Sequence, residues 1–163
     1  MKDKPLIRKI RKEDLQQASD LVLRLKKLNG EFDPLFEVSE DAPKDIKEML
    51  ESSMSQGEKC LMVVAESEKK VVGIIRVNFN SRLYYLPKTE ARILDFYVMP
   101  EFRRTGAGKY MLDFVGEEFS RRHVGLISAE FPALNPIANN FYKKLGFKEI
   151  VGIYAKRIEE DER

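Results

Sequence analysis

Residues 98–109 read Val98-Met99-Pro100-Glu101-Phe102-Arg103-Arg104-Thr105-Gly106-Ala107-Gly108-Lys109, and they join two different hydrophobic patterns. The apolar run before Pro100 is typical of a strand, and the apolar spacing from Ala107 onward is that of an amphipathic helix. The first N–H groups of a helix have no partner within it and, with the helix dipole, favour an anion. Two glycines permit close approach of backbone to a ligand, and three basic side chains add positive charge. The segment therefore predicts a pyrophosphate-binding turn.

Two common phosphate-binding motifs do not fit this turn. A P-loop needs a glycine five residues before its Gly-Lys pair and a Ser or Thr after it, where this chain has Arg103 and Tyr110. The dinucleotide fingerprint needs a third glycine where Met111 stands. What remains is Arg-x-x-Gly-x-Gly after a strand that ends in Val-x-Pro. Taken alone, a structural turn with incidental charge is the alternative.

A second segment predicts a short helix near the end of the chain. It reads Asn135-Pro136-Ile137-Ala138-Asn139-Asn140-Phe141-Tyr142-Lys143-Lys144-Leu145-Gly146-Phe147. Asn135 is a favourable N-cap, and proline is favourable at the first helical position. The apolar residues form one helical stripe, and Gly146 suits the left-handed conformation that ends a helix.

Together the two segments resemble the acetyl-CoA-binding signature and the late Asn…Phe-Tyr…Gly-Phe motif of the GNAT superfamily of N-acetyltransferases. They occur in that family's order, and the resemblance covers about residues 60–150. It implies one domain over residues 1–163, of α/β (α+β type) fold, with a central mixed, mostly antiparallel, splayed β-sheet and helices on both faces. It also implies acetyl-CoA as co-substrate and direct transfer to a primary amine in a ternary complex.

The resemblance implies a role for residues of both motifs. Backbone groups of Phe96, Tyr97 and Val98 would contact the pantetheine arm, and an N–H near Val98 would stabilise the oxyanion. Tyr142 would protonate the leaving thiolate, because a phenol with a pKa near 10 is protonated at neutral pH. Asn135 would contact the cofactor, although helix capping also explains it. The pyrophosphate would lie on Arg103, Arg104, Thr105, Gly106, Ala107, Gly108 and Lys109. Core packing is the alternative for Tyr142 and for the side chains of 96–98.

The general base is less clear, because the sequence departs from the family here. Several members carry Glu followed by Asp in this strand, whereas this chain has Leu94-Asp95. An unpaired buried charge is costly, so Asp95 either pairs with a cation or faces the cleft and handles the incoming ammonium. Glu130, at the end of the next strand, is a second candidate, and water a third. The missing glutamate favours a non-catalytic acyl-CoA sensor as the alternative function, whereas Tyr142 favours an enzyme.

An acidic connector, residues 31–41, lies between two predicted helices and contains no basic residue. With Phe32, Phe36 and the pair Tyr84-Tyr85, it would attract and enclose a cation. The acceptor is therefore expected to be an amine: a polyamine, a small amine metabolite, or a protein lysine or N-terminus. A solvated charged loop is the alternative.

Apolar periodicity predicts the other elements. Strands are expected at 6–11, 60–65, 71–78, 91–98, 124–131 and 147–157, and helices are expected to begin near residues 14, 43, 107 and 135.

Composition limits the class of protein. The chain has 163 residues, 43% of them hydrophobic and 34% charged, with a net charge of +2 and one cysteine. These values are typical of one globular domain, expected in the cytoplasm, with no nucleic-acid or membrane partner and no metal. Cys60 opens an apolar run and is expected to be a buried thiol. A homodimer is left open.

Overall fold

The computed structural model describes residues 3–159, which form one five-stranded sheet with helices on both faces. The strands are β1 (Leu6–Lys9), β2 (Cys60–Ser67), β3 (Lys70–Ser81), β4 (Thr89–Val98) and β5 (Leu126–Ala129), and they lie side by side in that order. The helices are α1 (Leu15–Asn29), α2 (Ala42–Met54), α3 (Ala107–Arg121) and α4 (Pro136–Lys144). Short 3₁₀ helices occupy Lys12–Asp14, Pro34–Phe36 and Pro100–Thr105. No helix within the described part of the chain has the length and apolar character needed to cross a membrane.

The sheet is mixed and mostly antiparallel. β1 to β4 pair antiparallel with their neighbours, whereas β4 and β5 run parallel and are joined through α3. A parallel pair requires such a crossover, because a tight turn reverses the chain direction. The fold expected from the resemblance is therefore confirmed in class and in sheet type.

The central strands are buried on both faces. Val63, Val64 and Ile74 have no exposed surface, which explains why β2 and β3 read as continuous apolar runs. The tight turn between them has positive φ at two residues, Glu68 (50°) and Lys69 (64°). Cys60 opens β2 and is buried, as the sequence predicts.

The helices divide between the two faces of the sheet. A Cβ on Gly73 of β3 would lie 3.1 Å from the Sδ of Met111 on α3. Arg76, three residues further along β3, points to the other face, because side chains alternate along a strand. α1 packs there, since its Lys26 reaches the carboxylate that Arg76 binds.

β4 carries a bulge that ends its pairing with β5. Arg76 and Val77 of β3 lie opposite Asp95 and Ile93, so Leu94 is one extra residue in β4. β5 pairs with β4 only from Glu90 to Ile93. Beyond the bulge the pairing ends and β4 has a gap beside it, as expected for the splayed sheet that the resemblance implies.

Two strand predictions need correction. The strand expected at 124–131 spans only Leu126–Ala129, because its ladder with β4 stops at the bulge. The prediction of a strand at 147–157 is wrong for the single chain, because residues 147–159 form neither strand nor helix. A strand needs a neighbour for its backbone hydrogen bonds, and no residue between 3 and 159 pairs with this segment.

Candidate active site

The second half of β4 has an open backbone edge on the side of β5. The N–H of Met99 donates to the carbonyl of Val72 on β3 (2.8 Å). Because backbone groups alternate along a strand, those of Tyr97 also point to β3, and those of Phe96 and Val98 point to the open edge. The guanidinium of Arg103 donates to the Val98 carbonyl (3.0 Å), consistent with that direction. Two N–H groups are therefore directed into the gap between β4 and β5.

The glycine turn follows this edge directly. Residues Pro100–Thr105 form a 3₁₀ turn, and Gly106 then adopts φ +85° before α3 begins at Ala107. The first N–H of α3 that bonds back to the turn is that of Tyr110, which donates to the Gly106 carbonyl (3.0 Å). The N–H groups of the three preceding residues, 107–109, therefore lie at the N-terminus of α3 and have no acceptor within the helix. These N–H groups lie where the sequence predicts an anion-binding turn.

The basic residues of the turn differ in their surroundings. The Arg103 guanidinium lies 5.5 Å from the centre of the Tyr97 ring and connects the turn to β4. Arg104 and Lys109 are exposed, and neither forms an ion pair with a residue of the described range 3–159. The Thr105 hydroxyl donates to the Phe102 carbonyl (2.6 Å), which stabilises the 3₁₀ turn. Positive charge is therefore available at the N-terminus of α3.

Tyr142 lies in a cluster of aromatic rings that connects α4 to β4. Its ring stacks on Phe131 at 5.3 Å and meets Phe141 and Phe147 edge to face. Phe141 in turn contacts Phe96 of β4 at 6.0 Å between ring centres. Tyr142 is 8% exposed, and burial raises the pKa of its phenol above the ordinary value. Its hydroxyl forms no hydrogen bond with any residue that the structure describes.

Asn135 caps α4. Its side-chain oxygen accepts from the N–H groups of Ile137 and Ala138, each at 3.1 Å. The capping role that the sequence predicts is therefore present, and it holds the helix that carries Tyr142.

Asp95 is buried between two cations. Oδ1 accepts from the Lys26 ammonium (2.6 Å) and Oδ2 from Nε of Arg76 (2.7 Å), while Asp95 itself is 1% exposed. Burial alone would raise the pKa of Asp95, but the charges of Arg76 and Lys26 outweigh it and lower the pKa below 3.8. Of the two alternatives for Asp95, the structure has the carboxylate paired with cations. Both partners were missed from the sequence, because Lys26 lies 69 residues away and Arg76 is opposite Asp95 only in the final register.

Glu130 follows the last residue of β5, where the two strands separate. Its N–H donates to the Ile93 carbonyl (3.0 Å), so its position beside the bulge is fixed. Its carboxylate is exposed and has no ion-pair partner among residues 3–159. Glu130 is thus the predicted carboxylate whose oxygens remain available.

The acidic connector lies near Asp95, whereas Tyr84 and Tyr85 do not. Lys26, which binds Asp95, lies four residues before Gly30, about 6 Å along the axis of α1. Gly30 and the connector line a cavity of about 370 Å³, formed by Lys27, Gly30, Pro34, Phe36, Glu37 and Val38. The tyrosine pair precedes β4, which begins at Thr89. Asp95 lies six residues further along that strand, about 20 Å from Thr89. The two tyrosines therefore do not border the gap.

Residues 3–159 contain no group of three or more His, Cys, Asp and Glu side chains that could hold a metal ion.

Comparison with known proteins gives a family. The family model of the acetyltransferase (GNAT) domain matches residues 58–149, which is more than half of the chain and includes both motifs. No curated protein sequence matches the chain.

Several solved structures share the fold. A predicted acetyltransferase from Clostridium acetobutylicum, solved with acetyl-CoA, has a TM-score of 0.75 and 18% identity, and the match covers 94% of this chain and 96% of the other. An aminoglycoside acetyltransferase from an uncultured soil sample, solved with sisomicin, has a TM-score of 0.68 and 20% identity over 95% and 97% of the two chains. A transcriptional regulator from Bacillus halodurans C-125 has a TM-score of 0.73 and 21% identity over 94% and 99%. At these identities the likeness shows the fold.

Proposed function

This chain belongs to the GNAT acetyltransferase family, and from that premise we propose that it transfers an acetyl group from acetyl-CoA to a primary amine. The amine attacks directly in a ternary complex. The observation that carries the proposal is the open edge of β4, which begins at the Leu94 bulge and leads straight to the N-terminus of α3.

The residues of the turn and the open edge fit acetyl-CoA. When bound, acetyl-CoA supplies an activated acetyl group and a thiol leaving group. The N–H groups of 107–109 bind the diphosphate, and the exposed Arg104 and Lys109 add charge. Gly106 is suited to this position, because a Cβ there would lie 3.2 Å from the Tyr110 ring. The backbone groups of Phe96 and Val98 bind the extended arm as a neighbouring strand would.

The N–H of Val98 is the proposed oxyanion donor. It points into the gap, and Arg103 holds the carbonyl of the same residue. One such donor typically lowers a barrier by about 3 kcal/mol. Tyr97 contributes its ring, on which Arg103 lies, rather than its backbone.

Tyr142 is the proposed general acid. Burial raises the pKa of its phenol, so the hydroxyl is protonated at neutral pH. It would donate its proton to the sulfur as the C–S bond breaks, and solvent would then reprotonate the phenolate. Its hydroxyl has no other partner within the described chain, which leaves it free to donate. Asn135 positions Tyr142 by capping α4, and we propose that it also contacts the pantetheine arm.

Glu130 is the proposed proton acceptor for the amine, directly or through water. Asp95 is a poor acceptor, because Lys26 and Arg76 stabilise its charged form and lower its pKa. We therefore assign Asp95 to positioning: it joins α1 and β3 to β4 next to the bulge.

The acceptor is proposed to enter over the acidic connector. One solved relative with this fold is an aminoglycoside acetyltransferase, and aminoglycosides are amine-bearing molecules. Charge reversal of Glu37 and Glu40 to Lys should raise the KM of the amine and leave the affinity for CoA unchanged. Asp33 is kept, because its side chain caps the turn by accepting from the N–H of Leu35 (2.8 Å). An unchanged KM would remove the connector from the site.

The decisive experiment measures release of CoA thiol in the presence of acetyl-CoA and a panel of primary amines. We expect amine-dependent release, and we expect Tyr142→Phe to lower kcat by about 10²-fold or more while the Kd of CoA stays the same. Tyr84→Phe, on an exposed loop, is the matched control and should keep full activity. CoA binding by calorimetry without thiol release on any amine would favour the sensor instead.

A further inference from the structure

The C-terminal segment, residues 148–158, has the sequence of a buried strand but lies in solvent. Its central run Ile150-Val151-Gly152-Ile153-Tyr154-Ala155 is apolar at successive positions, a pattern typical of a strand covered on both faces. Yet every residue from Lys148 to Glu159 is exposed, Ile153 by 83% and Tyr154 by 99%. From Lys148 onward, none of its backbone groups hydrogen-bonds to another residue of the described chain. Soluble proteins rarely leave such a contiguous apolar stretch uncovered.

The edge of the sheet at β5 also lacks a neighbouring strand among residues 3–159. β5 is the last strand, and within residues 3–159 it pairs only with β4, so its other side offers N–H and C=O groups that have no strand partner there. Its sequence, Leu126-Ile127-Ser128-Ala129, contains none of the charged residues or prolines that usually protect an edge. Ile127 is itself exposed.

We propose that the C-terminal segment of one copy adds a strand to the open edge of β5 in a second copy, and that the reciprocal exchange forms a homodimer. Within one copy the chain leaves α4 through Gly146, at φ +89°, and does not return to the sheet, since Tyr154 is almost fully exposed. A two-fold exchange uses the same two elements twice and closes the assembly. It gives the segment the backbone partners that a strand requires, and it covers the edge of β5.

The exchange also places the partner's strand beside the strand that leads into Glu130. The oligomeric prediction, however, does not depend on the proposed reaction, and its test requires no activity measurement.

The first test is the molar mass in solution, measured by light scattering after size exclusion. We expect a dimer for the intact chain and a monomer for the segment variant Ile150→Ser, Ile153→Ser, Tyr154→Ser. The monomeric variant should still fold and unfold cooperatively on heating, because these three side chains are exposed in each copy. The matched control changes three exposed apolar residues of the β3–β4 loop, Leu83→Ser, Tyr84→Ser and Leu86→Ser, and should remain a dimer.

The second test distinguishes exchange from a segment that folds back on its own sheet. Ile127→Cys and Ile153→Cys are placed on separate, differently tagged chains that are co-expressed and treated with a short bis-maleimide. Exchange predicts a linked pair containing both tags, and the parent chain, whose Cys60 is buried, should give no link. The proposal would be overturned by a monomeric parent, by a segment variant that remains a dimer, or by a loop variant that becomes a monomer. A third chain carries both Ile127→Cys and Ile153→Cys, and links formed only within that chain, with none between the separately tagged chains, would also overturn it.

Discussion

Replacing Asp95 with Asn tests whether this carboxylate stabilises the fold, as its surroundings indicate. The substitution keeps the shape of the side chain and removes the charge that Lys26 and Arg76 share. Breaking a buried ion pair by removing one partner typically costs about 3–5 kcal/mol, because the remaining charge stays buried. The Arg76 side chain is 14% exposed, whereas that of Lys26 is 37% exposed and regains water more easily. We therefore expect a loss near the lower limit, about 3 kcal/mol.

For a chain of this size, that loss corresponds to a Tm lower by about 6–12 °C. The assay is thermal unfolding followed by circular dichroism, together with the urea midpoint. Glu48→Gln is the matched control, because it removes a carboxylate from an exposed pair with Lys44 at 4.0 Å. Exposed pairs contribute little, so its Tm should change by no more than a degree or two.

The pH dependence provides an independent check. The pKa of Asp95 is lowered in the folded protein, so its contribution to stability is present above about pH 4 and is lost as the pH falls through the folded pKa. The difference in unfolding free energy between the parent and Asp95→Asn should be constant from pH 6 to 8 and shrink below about pH 4. A parent-like Tm combined with a shifted pH profile of kcat would refute this account and return Asp95 to the role of base.

Three further substitutions test other parts of the structure. Gly106→Ala should cost about 1 kcal/mol, because φ is positive there and the Cβ meets the Tyr110 ring, and it should raise the Kd of CoA measured by calorimetry. Gly125→Ala should lower the urea midpoint by the equivalent of about 1–3 kcal/mol, since its Cβ would lie 2.4 Å from the Cβ of Pro87 and displace the β3–β4 loop. Asn135→Ala should lower the Tm through loss of the α4 cap, worth about 1 kcal/mol.

Each of these has an internal control. Gly57→Ala adds a Cβ that meets nothing within 4 Å, so neither stability nor CoA affinity should change. Asn135→Asp keeps the accepting oxygen and should restore most of the helix stability. Parent-like CoA affinity in Gly106→Ala would argue against the turn as the diphosphate site.

Local sequence signals predicted most of the elements. The β2–β3 hairpin, the ends of α1 at Gly30 and of α4 at Gly146, and the turn at Gly106 each depend on residues close together in the chain. The segment 147–157 shows where this fails. Its apolar pattern predicts a strand, but whether a strand forms depends on a partner that local periodicity does not identify.

The site was predictable only in part, for a similar reason. The glycine turn lies within one stretch of sequence, and its geometry follows from Gly106 and the first turn of α3. The surroundings of Asp95 depend on the register of β3 with β4 and on the packing of α1. Neither is encoded near Asp95, so the sequence could say only that the carboxylate needed a partner. The roles of Tyr142 and Glu130 remain predictions.

Leu94 contributes to the gap as one extra residue of chain length rather than through its side chain. Asp95 and Ile93 lie opposite consecutive residues of β3. If Leu94 were deleted, β4 would keep all its other pairings with β3 and would become a regular strand. Such a β4 would lose its bend and could continue alongside β5 past Ile93. Deleting Leu94 would thus give a regular sheet without a gap between β4 and β5. Conversely, inserting one residue at the same point of a regular β4 is a way to create such a gap by design.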